Sequence, residues 1–260
     1  MTEIFAEPQA SWFGGETATG SIAGRVSAVV GGAATAGRLP VLVAYDIPGR
    51  DCGSYSAGGA SGDAAYLGWI GQFAAGIAGR PAVVILEPDA LAQLDCLSAA
   101  NAADRMSLIA QAIVILRGGA RTSVYVDAGH SSWVPSQAMA ARLNSAGIAN
   151  ANGFALNVSN FNTTAAEEAY GDELSALVGG KHYVVDTSRN GHGPAPGGAW
   201  CNPAGRALGA LPGSPTHDPR ADALLWVKRP GESDGTCNGG PSAGTFWPSY
   251  AAGLAHAIGW

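Results

Sequence analysis

The sequence predicts a single α/β domain built as a parallel β/α barrel of about seven strands, and three observations carry that prediction. Short apolar runs rich in β-branched residues, of the length expected for strands buried on both faces, alternate along the chain with segments of helical periodicity. Several of these runs stop at a carboxylate, Asp46, Glu87, Asp127 and Asp186 among them, and the strand exits of a parallel barrel are where catalytic groups collect. At 260 residues, with no charged or low-complexity linker to divide it, the chain suits one domain over 1–260.

Taken in order, Ile4-Phe5-Ala6 is expected as a first strand. A Gly-rich loop with Trp12 and Phe13 follows, readable as a binding surface or as a lid over the barrel bottom. A small-residue helix from Gly20 to Gly31 leads to a second strand, Pro40 to Tyr45, which exits into Asp46-Ile47-Pro48-Gly49-Arg50-Asp51-Cys52-Gly53. From Asp63 to Gly79, Tyr66, Trp69, Ile70, Phe73 and Ile77 recur at helical spacing, which assigns those aromatics to packing. The third strand, Ala82 to Leu86, is the most informative: Glu87-Pro88-Asp89 follows at once, two carboxylates on a corner stiffened by proline.

A helix from Asn101 to Arg117, apolar at Met106, Ile109, Ile113 and Leu116, is stopped by Gly118-Gly119. Then come a strand Thr122 to Asp127, a helix Ser136 to Ser145, a strand Phe154 to Val158, a helix Ala165 to Val178 and a strand Tyr183 to Asp186. Asn190 to Pro219 reads as a long irregular loop, Ala223 to Lys228 as the last strand and Tyr250 to Ile258 as a closing helix.

Composition excludes several functions. Charged residues are 13% of the chain and the net charge is −6, which argues against the clustered Lys and Arg of a nucleic-acid surface. No apolar run approaches the length of about 20 residues that spans a bilayer, and Thr2-Glu3 after Met1 is no export leader, so the expectation is a secreted domain already trimmed of its signal. No Gly-x-Gly-x-x-Gly or Walker sequence follows any strand, so no nucleotide cofactor is expected. Cys52, Cys96, Cys201 and Cys237 lie far apart with no CxxC pair. That spacing disfavours zinc and leaves two disulfides against four reduced thiols; the polar and Gly/Pro-rich turns beside each cysteine favour disulfides.

The predicted rim holds Asp46, Asp51, Glu87, Asp89, Asp127, Asp186, Glu232 and Asp234. Three chemistries use such a set. A divalent metal with a phosphorylated substrate would want basic residues, and Lys181 and Lys228 are the only lysines. Single Asp residues also pin loops through Asx turns. Glycoside hydrolysis needs one carboxyl kept protonated, another kept ionised and aromatic platforms for sugar rings, and Trp12, Trp133, Trp200 and Tyr45 fall on predicted rim loops or strand ends. Gly240-Pro241-Ser242-Ala243-Gly244 fits the nucleophile-elbow formula but lacks the strand before it that an elbow requires. Asn157-Val158-Ser159 and Asn162-Thr163-Thr164 fit glycosylation acceptors, a formula short enough to recur by chance.

The ordered blocks YDIPGRDCG, ILEPDAL, YVDAGHSSW, DTSRNG, WC and WVKRPGESDG, from about Val41 to the C-terminus, resemble glycoside hydrolase family 6, the inverting cellulases. The resemblance implies a distorted barrel of seven strands, a β-1,4-glucan substrate, no cofactor or metal, and disulfides Cys52–Cys96 and Cys201–Cys237. It gives Asp89 as the general acid, Asp51 as the carboxylate that aids its protonation, Asp127 as a third member tuning both, and Asp234 as the base acting through water. Tyr45 matches the aromatic pressing on the distorted sugar. Lys228, Glu232 and Trp200 match the non-reducing side, and His130 and Trp133 the leaving-group side; a satisfied structural role is the alternative for His130. Trp12 and Asn157 complete the expected substrate-binding set.

Two positions depart from the pattern. Ala57 stands where relatives often carry a serine, with Ser56 one place earlier, and Thr236 intervenes between Gly235 and Cys237. Compact stretches after Gly191 and around Gly231 favour an open cleft and endo action on internal bonds. The alternatives are an exo-acting cellobiohydrolase and a non-catalytic glucan-binding protein. A monomer, without nucleic-acid or membrane partners, is expected.

Overall fold

A computed structural model describes residues 2–14 and 21–260. Seven strands form one sheet in sequence order, each neighbour pair parallel. They are β1 (Ser11–Phe13), β2 (Val41–Ala44), β3 (Ala82–Leu86), β4 (Thr122–Asp127), β5 (Gly153–Leu156), β6 (His182–Asp186) and β7 (Ala221–Leu225). The helices are α1 (Thr2–Ala6), α2 (Ile22–Thr35), α3 (Asp63–Ile77), α4 (Ala99–Arg117), α5 (Ser136–Ser145), α6 (Thr164–Leu177) and α7 (Pro248–His256).

The period of two along each strand divides the apolar residues between two cores. Val43, Ile85, Tyr125, Ala155, Val184 and Val227 fill the interior of the curled sheet. Their strand neighbours Leu42, Val84, Leu86, Val124 and Val126 pack outward against the helices. The sheet does not close. Ala10 N–H donates to Trp226 O at 3.0 Å and the Trp12 indole N–H to Val227 O at 2.7 Å, but no ladder joins β1 to β7 among the described residues. The barrel is therefore distorted and open on one side, with its cleft at the C-terminal strand ends.

Two expectations change. Ile4-Phe5-Ala6 lies in a short helix: Ile4 is buried against Leu208, Trp226 and Leu254 while Phe5 is exposed, and a helical turn separates those two faces. The first strand is Ser11–Phe13, so Trp12 sits on a strand paired with β2 instead of in a loop. The expected helix start at Gly20 lies outside the described residues; α2 is capped by Ser21, whose side chain accepts from Gly24 N–H. Among the described helices α4 has the length and apolar content to cross a bilayer. Here its face of Leu108, Ile109, Ile113 and Leu116 is buried in the core.

Candidate active site

The exits of β2 and β3 build one wall of the cleft. Glu87, Asp89 and Asp51 take φ of 49°, 68° and 57°, a left-handed backbone that non-glycine residues hold only when their surroundings enforce it. The enforcing contacts are present. The buried Glu87 carboxylate accepts from Asp46 N–H at 3.1 Å and Ile47 N–H at 3.0 Å, tying the β2 exit to β3. Asp89 N–H donates to Asp127 Oδ1 at 2.9 Å, which also accepts from Gly129 N–H at 3.0 Å. Asp51 accepts from Ser56 N–H at 2.6 Å and from the Gln93 amide at 3.2 Å, and the adjacent Cys52 is bonded to Cys96.

Carboxyl groups crowded without enough cations favour the protonated form. Burial, then the charge of Asp51, pushes Asp89 up to about 7. Burial and Asp89 push Asp127 well above the usual carboxyl range, and its buried Oδ2 has no hydrogen-bond partner. Asp127 stands behind Asp89, while Asp51 and Asp89 line the cleft.

The loops after β6 and β7 build the opposite environment. Asp234, buried, accepts from Arg189 Nη1 at 2.9 Å and Asn202 N–H at 3.0 Å, and Lys228 Nζ lies 3.5 Å from its other oxygen. Burial raises its carboxyl, but Arg189 and Lys228 outweigh burial and hold it below the usual range. Arg189 is itself fully buried, stacked over Phe161 at 4.3 Å and donating to Ser159 O. The second disulfide, Cys201–Cys237, brackets this cluster. Asp234 N–H also donates to Asn202 Oδ1 at 2.8 Å, so the loop is fixed on both sides of Asp234 despite the extra Thr236. Gly235 is required there because a Cβ would stand 2.3 Å from the Tyr55 ring.

Aromatic surfaces complete a cleft of about 770 Å³. Trp12 and Tyr45 meet edge to face at 5.5 Å, and Tyr45 carries the Arg50 guanidinium at 4.7 Å. Trp133 and Trp200 line the cleft with 39% and 48% of their surfaces exposed, as a sugar platform requires. His130 tilts against Trp133 at 5.4 Å, and burial lowers its pKa to about 4. Lys228 lines the cleft; Glu232 stands outside it, paired with Arg229 at 2.9 Å.

Asn157 does not reach the cleft. It is fully buried at φ 64°, and its side chain is consumed by Asn162 N–H, Asn162 O and Asp186 O. Asn160, on the turn that Asn157 braces, lines the cleft in its place, together with Phe161 and Asn162. Asp46, Glu87 and Asp186 are buried and serve the frame; Asp186 accepts from Ser159, Ser188, Val227 and Lys228 N–H groups. Ser54 and Ser56 line the cleft whereas Ala57 is exposed outside it. Arg189, Asn202, Gln93, Asn160 and Asn162 are the functional candidates that sequence reading missed. Only Arg189, inside the block DTSRNG, carried any signal.

The geometry thus offers one wall that retains a proton and one that retains a negative charge, between flat aromatic surfaces. The family model for glycosyl hydrolases family 6 matches residues 1–258. Endoglucanase A of Cellulomonas fimi is 47% identical over all of this chain, which spans 56% of that protein's length. Endoglucanase 1 of Streptomyces halstedii is 48% identical over 94% of the chain and 77% of its own length. The solved structure of the endoglucanase Cel6 from Mycobacterium tuberculosis, in complex with methyl-cellobiosyl-4-deoxy-4-thio-β-D-cellobioside, superposes with a TM-score of 0.97 at 50% identity, covering all of this chain and 89% of that one.

Proposed function

The chain belongs to glycosyl hydrolase family 6, and from that premise we propose that residues 1–260 form one catalytic domain, an endo-β-1,4-glucanase that inverts the anomeric centre. The observation that carries this is the pair of opposed carboxyl environments, Asp89 held protonated to about 7 and Asp234 held ionised, in one cleft floored by aromatic rings.

In this reading Asp89 gives its proton to the glycosidic oxygen as the bond to the anomeric carbon breaks, and a water attacks the opposite face of that carbon. Burial and the charge of Asp51 keep the donor protonated, Asp127 holds its backbone N–H, and Asp51 also faces the developing positive charge. Asp234, with two cations on it, suits a fixed negative charge better than the base the resemblance suggests. In this reading the water's proton passes through an intervening water to Asp51, which two neutral donors, Ser56 N–H and the Gln93 amide, hold in the cleft. Tyr45 presses on the sugar at the cleavage point, Trp200 and Lys228 hold the non-reducing side, and His130 and Trp133 the leaving group; Glu232, outside the cleft, is left with its Arg229 pairing. Trp12 extends the floor.

Endo action is supported by the open cleft and by the names of the two curated relatives. A glucan ligand is supported by the cello-oligosaccharide-like molecule in the 50% identical neighbour. The two disulfides suit an oxidising, extracellular setting, and we take the domain to act there as a monomer. The test is paired: the fall in viscosity of a soluble substituted cellulose against release of reducing ends, and proton NMR of the first product. A steep fall with early α product is expected. A shallow fall indicates exo action, early β product refutes single displacement, and no change in either indicates a binding protein.

A further inference from the structure

We propose that Asn162 is a positioning residue that locks His130 in the neutral tautomer carrying its proton on Nε2, so that His130 meets the glucan as a hydrogen-bond donor. The donor role rests on the glucan reading above; the tautomer does not.

Two groups occupy the same ring nitrogen. Ser132 N–H lies 3.3 Å from His130 Nδ1, and a backbone amide can only donate, so Nδ1 presents a lone pair. Asn162 Nδ2 lies 2.7 Å from that nitrogen. Because Nδ1 already accepts from Ser132 N–H, the Asn162 group facing it is the donating Nδ2, which leaves Oδ1 to accept from Ser132 Oγ at 3.4 Å. With Nδ1 accepting, the one proton of the neutral ring resides on Nε2.

Asn162 is built to hold still. Only 6% of it is exposed. Its N–H donates to Asn157 Oδ1 at 3.1 Å, and its carbonyl accepts from Asn157 Nδ2 at 3.1 Å and Asn190 Nδ2 at 3.0 Å. The opposing loop is fixed as well, since buried Glu167 accepts from Ser131 N–H at 3.0 Å and Ser131 Oγ at 2.7 Å. This is the purpose the structure gives to the buried Asn157: it braces the residue that orients the ring.

His130 lines the cleft beside Trp133, and among the described residues Nε2 has no protein partner. Adding a second proton would put N–H against the Ser132 and Asn162 donors, in keeping with a pKa lowered to about 4 by burial. A neutral donor binds a sugar oxygen without competing with Asp89 to protonate the leaving group.

The first test needs no variant: long-range proton–nitrogen correlation on the intact protein labelled at histidine nitrogens. A protonated Nε2 with unprotonated Nδ1 is expected at His130, and a protonated Nδ1 overturns the proposal. Asn162→Ala keeps the main-chain bonds that brace the turn, so the fold should persist, while Nδ1 keeps only the longer 3.3 Å bond from Ser132 N–H and the preference for the Nε2 tautomer weakens. Affinity for cello-oligosaccharides should then fall roughly threefold to tenfold, the range of one neutral hydrogen bond. Asn162→Asp, which can only accept, should draw the proton to Nδ1. In a His130→Ala background, Asn162→Ala should cause no further loss. An equal loss with and without the imidazole would make Asn162 merely structural and overturn the proposal. Absence of any glucan binding by the parent protein would overturn the donor role together with the reading beneath it, and the spectrum would still report the tautomer.

Discussion

Asp89 and Asp234 line the same cleft and burial pushes both carboxyls upward, yet they end on opposite sides of the ordinary range. Asp89 is surrounded by other carboxyl groups, Asp51 and Asp127 on its own wall and Asp234 across the cleft. Asp234 is surrounded by Arg189 and Lys228. The residue type and the burial are shared, so the neighbours decide the sign. The two walls also influence each other, since the charge that Arg189 and Lys228 preserve on Asp234 is one of those that raise Asp89.

The largest effect should come from removing the proton on the crowded wall. Asp89→Asn is expected to lower kcat/KM on β-1,4-glucan by roughly 10²- to 10⁴-fold, the usual contribution of a positioned acid. The loss should be far smaller on an aryl glycoside whose phenolate departs without a proton, and glucan binding should survive. Asp234→Asn should show no such dependence on the leaving group. Equal losses for Asp89→Asn on both substrates, with binding abolished, would erase the distinction between the walls and send the search for the acid to Asp127.

On the cationic wall the large effect should be on stability. Arg189→Met leaves buried Asp234 with Lys228 alone, and breaking a buried pair from one side costs about 3–5 kcal/mol. Denaturant unfolding measures this. The double variant Arg189→Met, Asp234→Leu should recover much of the loss, because no unpaired charge then remains. A loss below about 1 kcal/mol for Arg189→Met would mean the pair is solvated and the contrast with Asp89 overstated.

The walls should also respond oppositely to pH. Asp89 has a folded pKa of about 7, above the unfolded carboxyl value of about 3.9. The unfolded chain then releases this proton first, so the stability linked to Asp89 is whole below about pH 4 and drains away as pH rises to about 7. Asp234 is lowered instead, so its contribution is present above the unfolded value and lost as pH falls through its folded pKa. Asp89→Asn cannot ionise. It should melt higher than the parent at pH 8 and alike at pH 4, and identical melting differences at both values would contradict the raised pKa.

How much of this was legible differs between the walls for a physical reason. The crowded wall is made by residues close in sequence to three strand ends, those of β2, β3 and β4, and Glu87-Pro88-Asp89 after a buried apolar run announces itself. The cationic wall assembles Arg189, Asn202, Lys228 and Asp234 from separate loops, and an arginine in a loop gives no hint that it will be fully buried. The same limit explains Asn157. A polar residue at a strand exit reads as a site residue, and only the fold shows its amide spent on Asn162 and Asp186. The strand order followed from the alternation of elements. The first strand did not, because Ser11–Phe13 is three residues long and Ile4-Phe5-Ala6 looks more apolar than it.

The smallest effect concerns Ala57, where the family resemblance leads one to expect a serine. Ser56 N–H holds Asp51 at 2.6 Å and Ser56 itself lines the cleft, while Ala57 is exposed outside it. A hydroxyl that orients the attacking water can therefore come from Ser56, one place before the usual serine. A single neutral hydrogen bond contributes about 0.5–1.5 kcal/mol, so Ser56→Ala should lower kcat roughly twofold to tenfold with KM little changed. The backbone bond to Asp51 survives that substitution, which separates the hydroxyl from the loop's other task. Ala57→Ser should leave kcat within about twofold, since Ala57 is exposed outside the cleft. The measurement is steady-state hydrolysis of a soluble glucan by both variants. A gain of tenfold from Ala57→Ser, with Ser56→Ala neutral, would mean that the hydroxyl is missing from the crowded wall and that Ser56 does not replace it.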